Sequence, residues 1–294
     1  MAALVLDGKS VARQVRRDLR RSIANLREAE NVTPGLGIIL IGDDPASEVY
    51  VRTKLRACER AGIQGTIHRF PAEVNQESLE ARIRELNQDH SVHGMLIQWP
   101  VPSHLDFASL IDRLAPVKDV DGFHPINAGR LLEGRPRFVP ATPLGILRLL
   151  TAYNIECAGM DAVIVGRSRI VGRPMGALLL NEHATVTLCH SRTHDLASHV
   201  RRADLLIVAA GRPRMIRGDM IKPGAVVVDV GINRVNDGLV GDIDYESVVE
   251  TAGAVTPVPG GVGPMTVAML LHNTFEAAKW ITQGSLRSVS LLDT

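Results

Sequence analysis

Ala162-Val-Ile-Val-Gly-Arg-Ser-Arg-Ile-Val-Gly-Arg-Pro174 reads as a buried strand, a tight turn and a helix start. Gly166 permits the turn. Gly172 allows close helix–strand contact, and the unpaired N–H groups of the helix N-terminus are placed to meet a pyrophosphate. The spacing is GxSxxxG, with Ser168 where the usual dinucleotide fingerprint has its second glycine. By itself this pattern also fits an ordinary glycine turn in an α/β domain. The next strand discriminates between cofactors. An NAD-binding unit places Asp or Glu roughly 20 residues on, to hold the ribose 2′-hydroxyl. Here the chain reads Val186-Thr-Leu-Cys-His-Ser191-Arg192-Thr193, without a carboxylate. A hydroxyl and a guanidinium suit a 2′-phosphate, and Arg167 in the turn adds a second positive contact, so NADP is favoured over NAD. The plainer alternative makes Ser191 the cap of the next helix and Arg192 a solvated side chain.

Apolar runs recur on both sides of this segment with helical patterns between them, the signature of βαβ units and a parallel sheet. Strands are predicted at 36–41, 63–70 and 95–97, then at 162–165, 185–188, 205–208 and 225–230. Helices are predicted at about 9–29, 46–61, 76–89 and 265–281. From Leu114 to Pro143 the pattern breaks up around Pro116, Pro125, Pro136, Pro140 and Pro143, which marks a domain boundary. The fold class is α/β in two domains, the second Rossmann-like and doubly wound. The last ten residues read as a loose tail.

Composition narrows the function. Thirty-three Lys+Arg oppose thirty-two Asp+Glu, so no strong field draws the chain to nucleic acid or an acidic membrane. Aromatic residues at 3% argue against a base-stacking surface. Cys58, Cys157 and Cys189 lie far apart without a CxxC, against a disulfide framework or a cysteine zinc site. His93, His124 and His272 are scattered and read as structural, so no metal is expected. Asp7, Asp18, Glu28 and Glu30 among the first arginines predict no signal peptide, and no apolar run is long enough to span a bilayer. A soluble cytosolic α/β enzyme is expected.

The 46–61 helix has a defined start, with Asp44 as N-cap and Pro45 in the first turn. At helical spacing Val51, Leu55, Cys58 and Gly62 form a core-facing stripe, while Arg52, Arg56 and Arg60 face water. Tyr50 and Lys54 stand one turn apart at the border of the stripe. Lysine is scarce, five against twenty-eight arginines, so a lysine beside the core is conspicuous. Partial desolvation lowers its pKa and makes proton transfer near neutrality possible; a snorkelling lysine is the plain alternative. Gly94-Met-Leu-Ile-Gln98-Trp-Pro-Val-Pro102 delivers the Gln98 amide at the carboxyl end of a strand, where open α/β sheets place ligands. Lys118-Asp-Val-Asp121-Gly-Phe-His-Pro125 supplies a carboxylate in a glycine turn, for which an Asx-turn is the plain account. Pro257-Val-Pro259-Gly260-Gly261-Val-Gly-Pro264 is too rich in proline for a strand, and its backbone can lie against a flat ligand.

With these residues in view, the chain resembles the bacterial methylenetetrahydrofolate dehydrogenase/methenyltetrahydrofolate cyclohydrolase (FolD) family. The motifs are PASxVYVRxK at 45–54, HGMLIQWPVP at 93–102, KDVDGFHP at 118–125, GRSRIVGRP at 166–174 and TPVPGGVGPMT at 256–266. The resemblance implies a folate-binding catalytic domain at 1–140 and an NADP-binding domain at 141–264, with a cleft between them holding the active site. It also implies that the C-terminal helix, within 265–294, packs back on the first domain. Lys54 becomes the catalytic base, Tyr50 positions and stacks on folate, Gln98 holds Lys54, and Asp121 binds the pterin ring. Pro259, Gly260 and Gly261 line the folate and nicotinamide. Gly166, Arg167, Ser168, Ser191 and Ile232 match cofactor-contacting positions, and Arg192 joins them from the reading above. Tetrahydrofolate derivatives are the implied substrates, NADP the cofactor and a homodimer the implied assembly. Ala141, in place of a common cysteine, and Trp99, in place of a common leucine, depart from the pattern.

Two other readings stay open at this level. A two-domain NADP dehydrogenase of a shikimate- or amino-acid-type substrate would keep the 166–192 site. A nucleotide-sensing module would keep the glycine turn but has no need of Lys54, Gln98 and Asp121 together.

Overall fold

The structure is a computed structural model and describes residues 3–235 and 238–284; the predicted tail lies outside the described residues. In chain order the strands are β1 Leu4–Val5, β2 Gly35–Ile41, β3 Gln64–Phe70, β4 Gly94–Ile97, β5 Asp161–Val165, β6 Thr185–Cys189, β7 Leu205–Val208, β8 Val226–Asp229, β9 Asn233–Val235, β10 Gly238–Val240 and β11 Ala254–Val255. The helices are α1 Gly8–Glu30, α2 Pro45–Ala61, α3 Gln76–Gln88, α4 Phe107–Asp112, α5 Pro125–Leu132, α6 Ala141–Ala152, α7 Gly172–Asn181, α8 Leu196–Val200, α9 Tyr245–Val249 and α10 Val262–Gln283.

The chain divides into two units. One comprises the residues up to Arg13 together with Thr142–Thr266. Its sheet has the order β1-β11-β8-β7-β5-β6, all parallel. β5 lies between β6 and β7, so the chain leaves β5 to one side and later crosses to the other. That makes the carboxyl end of β5 a topological switch point, the place where open parallel sheets bind ligands. Val163, Val165, Leu206, Val208, Val227 and Val255 lie in its core. β9 and β10 form a separate antiparallel ribbon.

The expectation of a first domain starting at residue 1 is corrected here. Leu4 and Leu6 donate backbone hydrogen bonds to Gly253 and Val255 at 2.8 Å each, which joins β1 to the edge of the second domain's sheet. A two-residue strand carries no periodicity, and β11 is equally short. Neither is predicted from sequence.

The other unit comprises Gln14–Ala141 and the described residues from Val267. Its parallel sheet has the order β3-β2-β4, with β2 buried along its whole length. A parallel bridge between Met95 and Asp119 extends the edge past β4. α2, α3 and α10 begin and end within three residues of their predicted bounds. α4 lies just ahead of the proline-broken stretch and α5 inside it, where Pro125 starts a helix, its missing N–H falling where no partner is needed. The C-terminal helix is tied to this unit: Asn273 Nδ2 donates to the carbonyls of Val120 and Val139 at 2.8 and 3.0 Å. The Trp280 ring lies 4.9 Å from that of Phe138.

Candidate active site

α2 is built as its sequence predicts. Asp44 accepts a hydrogen bond from Ser47 N at 2.8 Å, Pro45 follows, and Gly62 closes the helix at φ 86°. Val51 and Cys58 are buried, Leu55 is half-buried, and Arg52, Arg56 and Arg60 are exposed. Gly62 does not complete the buried stripe; it lies past the last turn as an exposed left-handed cap.

Lys54 is half-buried on this helix, and its Nζ donates to Gln98 Oε1 at 3.0 Å. Gln98, beyond the end of β4, is buried, and its Nε2 donates to Trp99 O at 2.7 Å. That second bond fixes the amide, because a carbonyl accepts only from the NH2 end and so leaves the oxygen for the lysine. Burial holds the Lys54 ammonium below the ordinary lysine range, with the Asp121 charge pulling it back up. Burial pushes the Asp121 carboxyl up to about 6, against the pull of Lys54 and with a further push from Asp119. The neighbouring Cys58 thiol, pushed up to about 12 by burial, stays neutral. Tyr50 stands one turn before Lys54 and is 48% exposed. Sequence predicts these four residues together, and the structure links Lys54 with Gln98 by a hydrogen bond and with Asp121 by charge.

The turn carrying Asp121 is held by a residue that sequence reasoning passed over. Asp119 is buried and accepts from Phe123 N, His124 N and Asn127 Nδ2 at 3.2, 2.8 and 2.8 Å. Lys118 is anchored too, donating to Leu86 O and Asp89 O at 2.9 and 2.7 Å. Gly122 has φ 69°, and a Cβ there would lie 2.9 Å from Pro140 N. Asp121 is thus the carboxylate of the motif that these bonds leave for another use.

In the other unit the glycine turn follows β5. A Cβ on Gly166 would lie 2.2 Å from Ala209 O, and one on Gly172 2.0 Å from Gly166 O, so both glycines are required for the close approach of turn, strand and helix. Ser168 Oγ accepts from Val171 N and Gly172 N at 3.1 and 3.4 Å just ahead of α7, whose N-cap, Val171, has no side-chain cap. Arg167, Ser191 and Arg192 are exposed at the carboxyl ends of β5 and β6. The alternative role of Ser191 as a helix cap is not what the structure shows: Asp195 caps α8, accepting from Ser198 N at 3.3 Å. An uncapped helix start with a cationic rim and no carboxylate fits a phosphorylated dinucleotide.

Ile232, Pro259, Gly260 and Gly261 come together in a pocket of about 150 Å³, which Lys9 also lines. Ile232 is 49% exposed. Val262 already begins α10, so Gly263 and Pro264 form its first turn and the expected loop is shorter. Trp99–Pro100 and Val258–Pro259 are cis. Among the described residues, no cluster of three or more His, Cys, Asp or Glu side chains forms a metal site, and no helix is long and apolar enough to cross a membrane.

The two units thus define a class: an α/β protein with a half-buried amine–carboxylate couple in one unit and a Rossmann-type dinucleotide site in the other. The comparisons narrow it. A family model for the tetrahydrofolate dehydrogenase/cyclohydrolase catalytic domain matches residues 6–121, and one for its NAD(P)-binding domain matches 140–282. The bifunctional protein FolD of Bordetella avium (strain 197N) is 54% identical over 280 residues, covering 95% of this chain and 98% of that one. Among solved structures, the Campylobacter jejuni FolD methylenetetrahydrofolate dehydrogenase/cyclohydrolase has a TM-score of 0.92 at 48% identity, covering 95% and 99% of the two chains. The Trypanosoma brucei FolD enzyme, solved with NADP cofactor and inhibitor, has a TM-score of 0.92 at 38% identity over 95% and 98%. The chain belongs to the tetrahydrofolate dehydrogenase/cyclohydrolase family. The Aquifex aeolicus shikimate dehydrogenase, at 16% identity and a TM-score of 0.50, shares only the fold, which removes the support for a shikimate-type reading.

Proposed function

We propose that this protein oxidises 5,10-methylenetetrahydrofolate with NADP+ and then hydrolyses the 5,10-methenyl product to 10-formyltetrahydrofolate. The observation that carries the hydrolytic step is Lys54, desolvated and held at 3.0 Å by the Gln98 oxygen. Gln98 presents an acceptor to the amine, so one N–H is engaged while the lone pair of the neutral form stays free to take a proton from water. A methenyl cation beside Lys54 would further disfavour the ammonium form. Asp121 supplies the carboxylate for the N–H groups of the pterin, and Tyr50, exposed one turn before Lys54, gives a ring for the folate to stack on.

Gly166, Arg167, Ser168, Ser191, Arg192 and Ile232 would hold NADP, and Pro259, Gly260 and Gly261 would line folate and nicotinamide. When bound, NADP+ supplies the hydride acceptor. The chain's own task in that step is alignment of two flat rings and exclusion of water. The homodimer implied by the family is part of this reading; light scattering at twice 31.8 kDa supports it, and a species of 31.8 kDa removes it.

The test is Lys54→Met in the full chain, with both rates measured. Hydrolysis falls by about 10²–10⁴-fold, the usual contribution of a positioned base. The dehydrogenase rate falls far less. An undiminished hydrolysis rate refutes Lys54 as the base.

A further inference from the structure

Two carboxylates outside this machinery lie buried beside the NADP-type turn. Asp229 ends β8 and accepts from Gly231 N, Asp242 N and Ile243 N at 2.9, 2.9 and 3.0 Å. Asp242 accepts from Ala210 N and Gly211 N at 2.6 and 2.8 Å, and from Asn233 Nδ2 at 2.8 Å. Asp229 and Asp242 are 2% and 0% exposed. The chain makes room for them: a Cβ on Gly231 would meet the Asp242 carboxyl carbon at 2.3 Å, and one on Gly241 would meet Asp229 Oδ2 at 1.7 Å.

The donors identify what is being held. Ala210 and Gly211 follow β7, and Gly231 and Asn233 follow β8, so both loops leave the carboxyl edge of the parallel sheet, where ligands bind. Ile232 lies between the two attachment points, with Gly231 bound to Asp229 and Asn233 to Asp242. We propose that Asp229 and Asp242 are positioning residues for the NADP site, locking the 231–233 backbone against the 210–211 loop so that the half-exposed Ile232 side chain is held toward the bound nucleotide. This rests on the assignment of Ile232 to the cofactor made above.

Carboxylates suit the task because they only accept, and each here takes three N–H donors without offering one back. Two anions buried together are an expensive way to close loops that serve no ligand. That cost is visible in Asp229, whose carboxyl burial pushes up to about 6, with Asp242 adding to the rise.

The test uses the full chain, with NADP+ affinity measured by calorimetry and hydrolysis of methenyltetrahydrofolate measured without NADP. Asp242→Ala weakens NADP+ binding about tenfold, as expected for loss of buried acceptors that order a loop. Hydrolysis stays near the parent rate. Asp242→Asn restores affinity, since its amide oxygen can serve Ala210 and Gly211 while the Asn233 amide turns over to present oxygen. Asn233→Ala, which leaves the other bonds intact, weakens NADP+ binding less and covers the case in which Asp242→Ala does not fold. A folded Asp242→Ala or Asn233→Ala variant with parental affinity overturns the proposal, as does a parallel loss of NADP+ binding and hydrolysis. Ile232→Ala separates the two levels. If it weakens NADP+ binding while Asp242→Ala does not, positioning alone is wrong; if it changes nothing, the cofactor assignment fails and the proposal with it.

Discussion

At Asp121 function and stability pull in opposite directions. Its carboxyl, near 3.8 in the unfolded chain, is pushed up to about 6 in the folded one, chiefly by burial. Between those values the folded state binds more protons than the unfolded, so this residue's contribution falls as pH rises, and the penalty is complete above about 6. Asp121→Asn therefore raises Tm at pH 7 relative to the parent, and the advantage vanishes near pH 4. Equal melting temperatures at neutral pH would show that ionised Asp121 costs the fold nothing. In ligand titrations Asp121→Ala weakens folate binding far more than NADP+ binding; equal losses would remove its pterin assignment. Much of this site is legible in sequence, because helical spacing places Lys54 beside Val51 and Cys58. The direction of the Gln98 amide is not, since it is set by the Trp99 carbonyl, and neither is the support of Asp119 beneath Asp121.

Among the elements, the helix starts separate what a pattern can reveal from what geometry must decide. Ser168 is read in sequence as a residue of the phosphate turn, and the structure has its hydroxyl accept a hydrogen bond from Val171 N at 3.1 Å, just ahead of α7. Ser168→Ala costs about 1 kcal/mol through loss of that hydrogen bond. For a chain of this size that lowers Tm by about 2–4 °C. A calorimetric scan with unchanged Tm would show that the hydroxyl holds nothing in solution. Ser191 is read in sequence as the alternative cap of the next helix, and the structure gives that place to Asp195, whose side chain accepts from Ser198 N at 3.3 Å. The long strands were readable because β2, β5, β7 and β8 are nearly continuous apolar runs, as doubly covered parallel strands must be. β1 and β11, two residues each, leave no such trace.

For the molecule as a whole, the return of the C-terminal helix to the first domain is expected, whereas the passage of the residues up to Arg13 to the other unit is not, and each unit takes residues from more than one stretch of chain. Local patterning cannot reveal this, because it registers which residues are apolar and not which distant segment covers them. The described part of α10 beyond Thr266 supplies Asn273, Phe275, Ala277, Ala278 and Trp280 to the unit formed by Gln14–Ala141. Without them the carbonyls of Val120 and Val139 lose the Asn273 donor, and Phe138, 1% exposed, loses its aromatic neighbour. Each unsatisfied buried acceptor costs about 1–3 kcal/mol. Uncovering the apolar surface adds to that, against a total domain stability of about 5–15 kcal/mol. A fragment of residues 1–141 therefore shows no cooperative thermal transition. Residues 14–141 joined through a flexible linker to 267–284 regain one, because the missing donors and rings return. Calorimetry on both chains decides the matter. A sharp transition in the shorter fragment, with methenyltetrahydrofolate raising its midpoint, would mean that the unit is complete without the C-terminal helix.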